Sequence, residues 1–77
     1  MNQLMPLAMV SPGEVVQVVR VKAGWGLQRR LADMGLTPGV AITVLNRQMP
    51  GPIIIDLRGS RLVLGYGMAQ KILVRRA

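Results

Sequence analysis

The chain is short, apolar and strongly basic: it has 77 residues, 51% of them hydrophobic, and a formal net charge of +7. A chain of this length has room for one small hydrophobic core and therefore for one domain. It contains no cysteine, which excludes disulfides and thiolate metal sites, and no histidine, which removes the usual general base near neutral pH.

The N-terminal residues 1–6 predict a loose tail, and residues 7–77 predict a single domain without internal repeats. The tail lacks the positively charged stretch of a secretory signal, so we expect no export, and the absence of cysteine suits the reducing cytoplasm. The longest uncharged runs are interrupted by Pro and Gly, and they fall short of the roughly 20 apolar residues that span a bilayer. We therefore expect no membrane insertion.

The first two regular elements are a strand and a helix. The β-branched run from Val15 to Val21 follows the turn sequence Ser-Pro-Gly and predicts a strand. After a Gly-Trp-Gly segment, Leu27, Leu31 and Met34 recur at helical spacing and predict a short amphipathic helix. This helix is expected to end at Gly35, which can adopt the left-handed C-cap conformation.

Four shorter segments predict further strands by alternation or by β-branched content: 40–45, 53–58, 61–64 and 72–74. Gly59-Ser60 has the spacing and the glycine-first order of a two-residue hairpin. Residues 68–71 have room for one helical turn before the last strand. The sequence thus predicts a mainly β fold, a small, partly open, five-stranded barrel with one short helix after the first strand.

The chain offers little for catalysis or for metal binding. Its three carboxylates, Glu14, Asp33 and Asp56, fall on three different predicted elements and face ten Lys or Arg residues. Neither of the two Gly-x-Gly segments completes a nucleotide-binding glycine pattern, so both indicate turns. We therefore expect no enzyme, no cofactor and no iron bound directly by the monomer.

Four residues are candidates for contact with a partner: Trp25, Arg29, Arg30 and Met49. The two arginines lie on the predicted helix, with two more cations just before it, and the alternative is an ordinary solvated face. Trp25 is either a lid on the core, which the sequence favours, or an exposed anchor. Met49 falls in a predicted loop, where we expect it to be exposed.

The segment 29–39, RRLADMGLTPG, resembles the helix-and-turn signature of the FeoA family of bacterial ferrous-iron transport. Segments 51–53, 58–64 and 68–74 resemble the rest of that family's pattern, so the likeness runs from about residue 10 to residue 74. The resemblance implies an SH3-like barrel. It also implies framework roles for seven residues: Leu31, Gly35, Pro38, Gly39, Gly59, Ala69 and Ile72.

The resemblance further implies a role and a partner. FeoA proteins are cytosolic accessory components thought to act on FeoB, a membrane transporter with a GTP-binding cytoplasmic domain, and no catalytic or metal residues carry over from the family. Two alternatives stay open beside this partner. A basic nucleic-acid-binding barrel is favoured by the charge but not by the shortage of aromatic residues, so nucleic acid is not expected. Self-assembly into a homo-oligomer could follow from exposed strand edges.

Overall fold

The computed structural model describes residues 3–48 and 50–77 as an antiparallel sheet with two short helices. The strands are β1 (Met5–Pro6), β2 (Val15–Val21), β3 (Ala41–Arg47), β4 (Ile53–Leu57), β5 (Ser60–Leu64) and β6 (Ile72–Arg76). The helices are α1 (Trp25–Asp33) and α2 (Tyr66–Ala69), and a 3₁₀ turn spans Leu7–Met9. In space the strands follow the order β1-β6-β2-β3-β4-β5.

Two β-bulges curl this sheet. The extra residue is Val19 where β2 faces β6, and it is Leu45 where β3 faces β4. A bulge bends its strand and increases the local right-handed twist. The sheet therefore rolls around its buried face, with β1 and β5 left as its two edges. This is the mainly β, partly open barrel that the sequence predicts.

The core fills the inward face of the rolled sheet. Alternate side chains of a strand point to opposite faces, and in β2 the inward pair, Val16 and Val18, is at most 1% exposed. Helix α1 adds Leu31 and helix α2 adds Ala69, both fully buried. Each buried Val, Leu or Ile side chain contributes about 1.5–3 kcal/mol to stability. Within residues 3–48 and 50–77 the buried side chains include no charged or polar group.

The structure has six strands where the sequence predicts five, and the additional one is β1. Met5 pairs with Val74 and Pro6 with Leu73, so the last two residues of the segment predicted as a loose tail join the sheet. Leu7, which comes next, is fully buried. A strand of two residues has no periodicity for sequence analysis to detect, and burial of the neighbouring leucine is what holds it against β6.

The β4–β5 hairpin turns one residue earlier than predicted. Leu57 pairs with Ser60, so the two-residue loop is Arg58-Gly59. The φ angles of these two residues are +53° and +87°, and a type I′ turn requires positive values at both positions. The glycine is therefore the second loop residue, and the arginine before it adopts a left-handed conformation that is uncommon outside glycine.

Helix α1 ends in a Schellman motif, as its Gly-Leu sequence predicts. Gly35 has φ +92°, and its N–H donates to the Ala32 carbonyl at 2.9 Å. The N–H of Leu36 donates to the Leu31 carbonyl, also at 2.9 Å. Leu36 is 1% exposed, so the residue after the glycine cap is anchored in the core and fixes where the following turn lies.

Candidate docking groove beside helix α1

One face of helix α1 is turned away from the core. Leu31 is buried and Leu27 is half-buried against the core, so the face that carries these leucines packs on the barrel. Residues at i, i+3, i+4 and i+7 share one face of a helix. Counted from Trp25, this set consists of Gln28, Arg29 and Ala32, and each is exposed.

These four side chains line a groove of about 600 Å³. The rest of the lining comes from the end of β2 and from the turn after the helix: Arg20, Val21, Leu36, Thr37 and Pro38. The turn is tied to the sheet, because the Gly39 N–H donates to the Val18 carbonyl at 2.7 Å. The groove is therefore framed by a helix, a strand and a hydrogen-bonded turn.

Trp25 is 75% exposed, so the prediction of a core lid is wrong and the alternative, an exposed side chain, is correct. The reason lies in the helical spacing. Leu27 and Leu31 occupy the inward face of α1, and Trp25, at the first position of the helix, lies on the outward face. Its indole ring contributes apolar surface to the groove rather than to the core.

The groove is cationic as well as apolar. The charged residues that line it are Arg20 and Arg29. Among residues 3–48 and 50–77, Arg76 and Glu14 form the one pair of opposite charges within salt-bridge distance, at 3.1 Å. Neither groove arginine is therefore paired with an acid in this part of the chain. Such a surface favours a partner that brings an apolar side chain together with negative charge.

The structure brings two of the four predicted contact residues together. Trp25 and Arg29 lie on the same helix face and line the groove. Arg30 is exposed but, by helical spacing, shares another face with Gly26 and Asp33. Met49 lies outside the described residues. The predicted pair of arginines is therefore split between two faces of α1.

Sequence analysis missed the contribution of Gln28 to the groove. The signal for Gln28 was its position three residues after Trp25, which becomes informative only once the indole is known to be exposed.

The residues expected to form the framework lie in the core and in turns. Leu31, Ala69 and Ile72 are fully buried, and three glycines have positive φ angles: Gly35, Gly39 and Gly59. At Gly35 an added Cβ would lie 3.0 Å from Cδ2 of Leu57. Pro38 lines the groove.

In the described part of the chain no three His, Cys, Asp or Glu side chains are grouped so that they could hold a metal ion. None of the helices in these same residues combines the length and the apolar character that a membrane span requires.

Solved structures with the same fold include an FeoA protein and an FeoA-like protein. A crystal structure of an iron uptake regulatory protein (FeoA) is 39% identical, with a TM-score of 0.91 over 97% of this chain and 100% of that chain. The NMR structure of an FeoA-like protein from Clostridium acetobutylicum is 30% identical, with a TM-score of 0.85 over 99% of this chain and 90% of that chain. A manganese-dependent transcriptional repressor is 24% identical over 44% of its own chain, with a TM-score of 0.89, and this likeness shows the fold alone.

Sequence relatives agree with these structures. A protein of Methanocaldococcus jannaschii, provisionally named Fe(2+) transport protein A, is 42% identical over 94% of this chain and 87% of its own length. The model of the FeoA domain matches residues 5–76, which is almost all of the sequence. The SH3-like barrel implied by the resemblance is thereby confirmed, and the chain belongs to the FeoA domain family.

Proposed function

We propose that this protein is a non-enzymatic, cytoplasmic accessory component of ferrous-iron uptake that docks on the cytoplasmic GTP-binding part of a FeoB-type transporter and modulates transport. Membership of the FeoA domain family and the relative named as an Fe(2+) transport protein support the iron-transport role. The groove beside α1 supports docking as the way in which the protein acts.

The exposed indole of Trp25 is the observation that carries this proposal. The chain has two aromatic residues in all, Trp25 and Tyr66, and the larger one is left 75% exposed while aliphatic side chains build the core. Tryptophan and arginine are among the residues enriched at the positions that dominate binding energy in protein interfaces. Trp25, Arg29 and Arg20 occur together around one groove, which is the arrangement expected of a docking surface.

The charge of the molecule supports an acidic partner. With a net charge of +7, the protein is drawn electrostatically to an acidic surface before any contact forms, and complementary charges raise the rate of association. The apolar lining of the groove then provides the area that is removed from water in the complex.

The proposal predicts that one face of α1 determines affinity. We expect Trp25→Ala and Arg29→Glu each to weaken binding to the purified GTP-binding domain of the transporter by about tenfold or more, because both side chains line the groove. Arg30→Glu is the matched control, since it reverses the same charge one residue along on another face, and we expect a change of less than about threefold. Biolayer interferometry with the immobilised domain measures all three.

Two outcomes would contradict this assignment. Equal losses with Arg29→Glu and Arg30→Glu would mean that total charge, and not the groove, governs docking. No binding of the unmodified protein to the domain would reject the transporter as partner. A pull-down from lysate with and without nuclease tests the alternative, because recovery of nuclease-sensitive RNA in place of the transporter would assign the basic surface to nucleic acid.

A further inference from the structure

We infer that Arg75 is a second contact for the docked partner, and that it binds a carboxylate of an acidic, extended segment that continues out of the groove beside α1. The inference rests on the docking proposed above. It adds the chemistry of the partner segment: an apolar side chain for the groove, followed along the chain by an acidic one.

Arg75 is held in position by side-chain hydrogen bonds. Its Nε donates to Oε1 of Gln17 at 3.0 Å, and Nε2 of the same glutamine donates to the Gly39 carbonyl at 3.0 Å. Gln17 and Arg75 lie directly opposite each other in the β2–β6 pair. A guanidinium has five N–H donors, so one is used by the glutamine and the terminal nitrogens are left for another acceptor. An arginine fixed in this way loses less conformational entropy when a carboxylate binds.

Nothing in the described residues neutralises Arg75. Within 3–48 and 50–77, the next arginine along the strand, Arg76, contacts Glu14 at 3.1 Å, whereas no carboxylate lies within salt-bridge distance of Arg75. Arg75 borders a cleft of about 200 Å³ that Gln17, Val19 and Gly39 also line. A cation that is oriented from within the protein but paired with no acid is suited to bind an anionic group from outside.

The bulge at Val19 places an arginine of the groove and the arginine of this cleft on the same side of the sheet. In a regular strand Gln17 and Arg20, three positions apart, would point to opposite faces. The register shift places Arg20 opposite Leu73 and Gln17 opposite Arg75, on the outer side of the sheet, so the groove arginine and the cleft arginine share one surface. Three residues of strand span about 10 Å. An extended segment that leaves the groove thus reaches Arg75 within a few residues.

The charges favour a protein segment with carboxylates. The charged residues that line the groove and the cleft are all arginines: Arg20, Arg29 and Arg75. A phosphate backbone would satisfy the same charges, but strand-like nucleic acid is usually bound by stacking on several aromatic rings, and this surface provides the single indole of Trp25. The apolar groove lining is better matched by an aliphatic side chain.

The test uses two short, capped, fluorescein-labelled peptides with the full chain. Both carry a Leu-Leu anchor. After three further residues, one peptide has Glu-Glu and the other has Gln-Gln. Fluorescence anisotropy gives the dissociation constant of each peptide. We expect the Glu-Glu peptide to bind about fivefold more tightly, and Arg75→Gln to abolish this difference. Arg61→Gln, which removes an exposed cation from β5, is the matched control and should leave the difference unchanged.

Gln17→Leu separates positioning from direct binding. We expect it to reduce the preference for the Glu-Glu peptide by about twofold in the otherwise unmodified chain and to have no further effect in the Arg75→Gln background. Gln17 is a positioning residue in this scheme. If Gln17 served only to stabilise the fold, Gln17→Leu would weaken the binding of both peptides equally in both backgrounds. Far-UV circular dichroism verifies that each variant is folded.

Several outcomes would overturn the inference: equal affinity of the unmodified chain for the two peptides, failure to bind either, or equal effects of Arg75→Gln and Arg61→Gln. Tighter binding of a short oligouridine that displaces the Glu-Glu peptide would also overturn it. If the chain binds the transporter domain and Arg75→Gln does not weaken this binding, the docking proposal is supported and the Arg75 contact is rejected. If that domain does not bind but Arg75 still selects the acidic peptide, the contact stands and the transporter is rejected.

Discussion

The indole of Trp25 lies in solvent, while Leu27 and Leu31 of the same helix face the core. Truncating Trp25 therefore removes surface that is not needed for folding. We expect Trp25→Ala to change the free energy of unfolding by less than about 0.5 kcal/mol, as surface substitutions usually do. Urea denaturation followed by far-UV circular dichroism measures this value. A loss of about 3–5 kcal/mol, typical of a buried tryptophan, would instead place the ring in the core.

This variant also makes the docking measurement decisive. Because Trp25→Ala is expected to be as stable as the unmodified protein, weaker binding to the transporter domain cannot be attributed to unfolding. A variant with a damaged core would give no such separation between stability and affinity.

At the scale of one element, the end of helix α1 depends on a glycine in the left-handed conformation. Gly35 has φ +92°, and an added Cβ would meet Cδ2 of Leu57 at 3.0 Å. We expect Gly35→Ala to destabilise the protein by about 1–2 kcal/mol, since a left-handed conformation is costly for a residue with a Cβ. Thermal unfolding measures the shift.

Gly26, in the first turn of the same helix, is the matched control. An added Cβ there has no heavy atom within 4 Å, apart from the helix's own neighbouring backbone. Alanine is the better helix former, so Gly26→Ala should raise the stability, by up to about 1 kcal/mol. Changes of the same sign in the two variants would contradict the assigned roles of these glycines.

The elements that sequence analysis predicted well are those with a regular pattern of hydrophobic residues or with a residue type that marks the end of a helix. Strand β2 spans Val15–Val21 as predicted, and α1 ends at its glycine C-cap. Strand β1 was missed because two residues carry no pattern. The β4–β5 turn was misplaced by one residue, because the sequence does not show that Arg58 itself adopts a positive φ.

The candidate site was predicted only where its residues are close in sequence. Trp25 and Arg29 lie four positions apart on one helix, so helical spacing joins them. Gln17 and Arg75 are separated by 58 positions, and their hydrogen bond depends on the β2–β6 register and on the bulge at Val19. A register of this kind is set by the packing of the whole sheet, which no local pattern contains.

At the scale of the whole molecule, the N-terminal segment helps to close the barrel. The 3₁₀ turn Leu7–Met9 contacts both β6 and α2, and Leu7 is fully buried, whereas Leu4 is 47% exposed. We expect Leu7→Ala to lower the free energy of unfolding by about 2–5 kcal/mol, as other large-to-small core substitutions do. Urea denaturation measures the loss, and Leu4→Ala is the control, with an expected change under about 0.5 kcal/mol. Similar stabilities for the two variants would show that this segment is not part of the core.

The edges of the sheet bear on self-assembly. Strand β1 is two residues long and ends in Pro6, which has no N–H to donate, so this edge offers little for pairing. Strand β5 is longer and exposes Val63, which is 63% accessible. The net charge of +7 on each copy opposes association through that edge. Homo-oligomer formation stays a prediction, to be measured by light scattering as the concentration is raised.

The β2–β6 pair also determines when the protein can fold during its synthesis. This pair lies inside the sheet and joins Gln17 to Arg75, so β2 is synthesised long before its partner strand. Until then the inward valines of β2 have one sheet neighbour, β3, in place of two. A nascent chain therefore carries an open apolar face until β6 has emerged, and the barrel closes only when that strand pairs with β2.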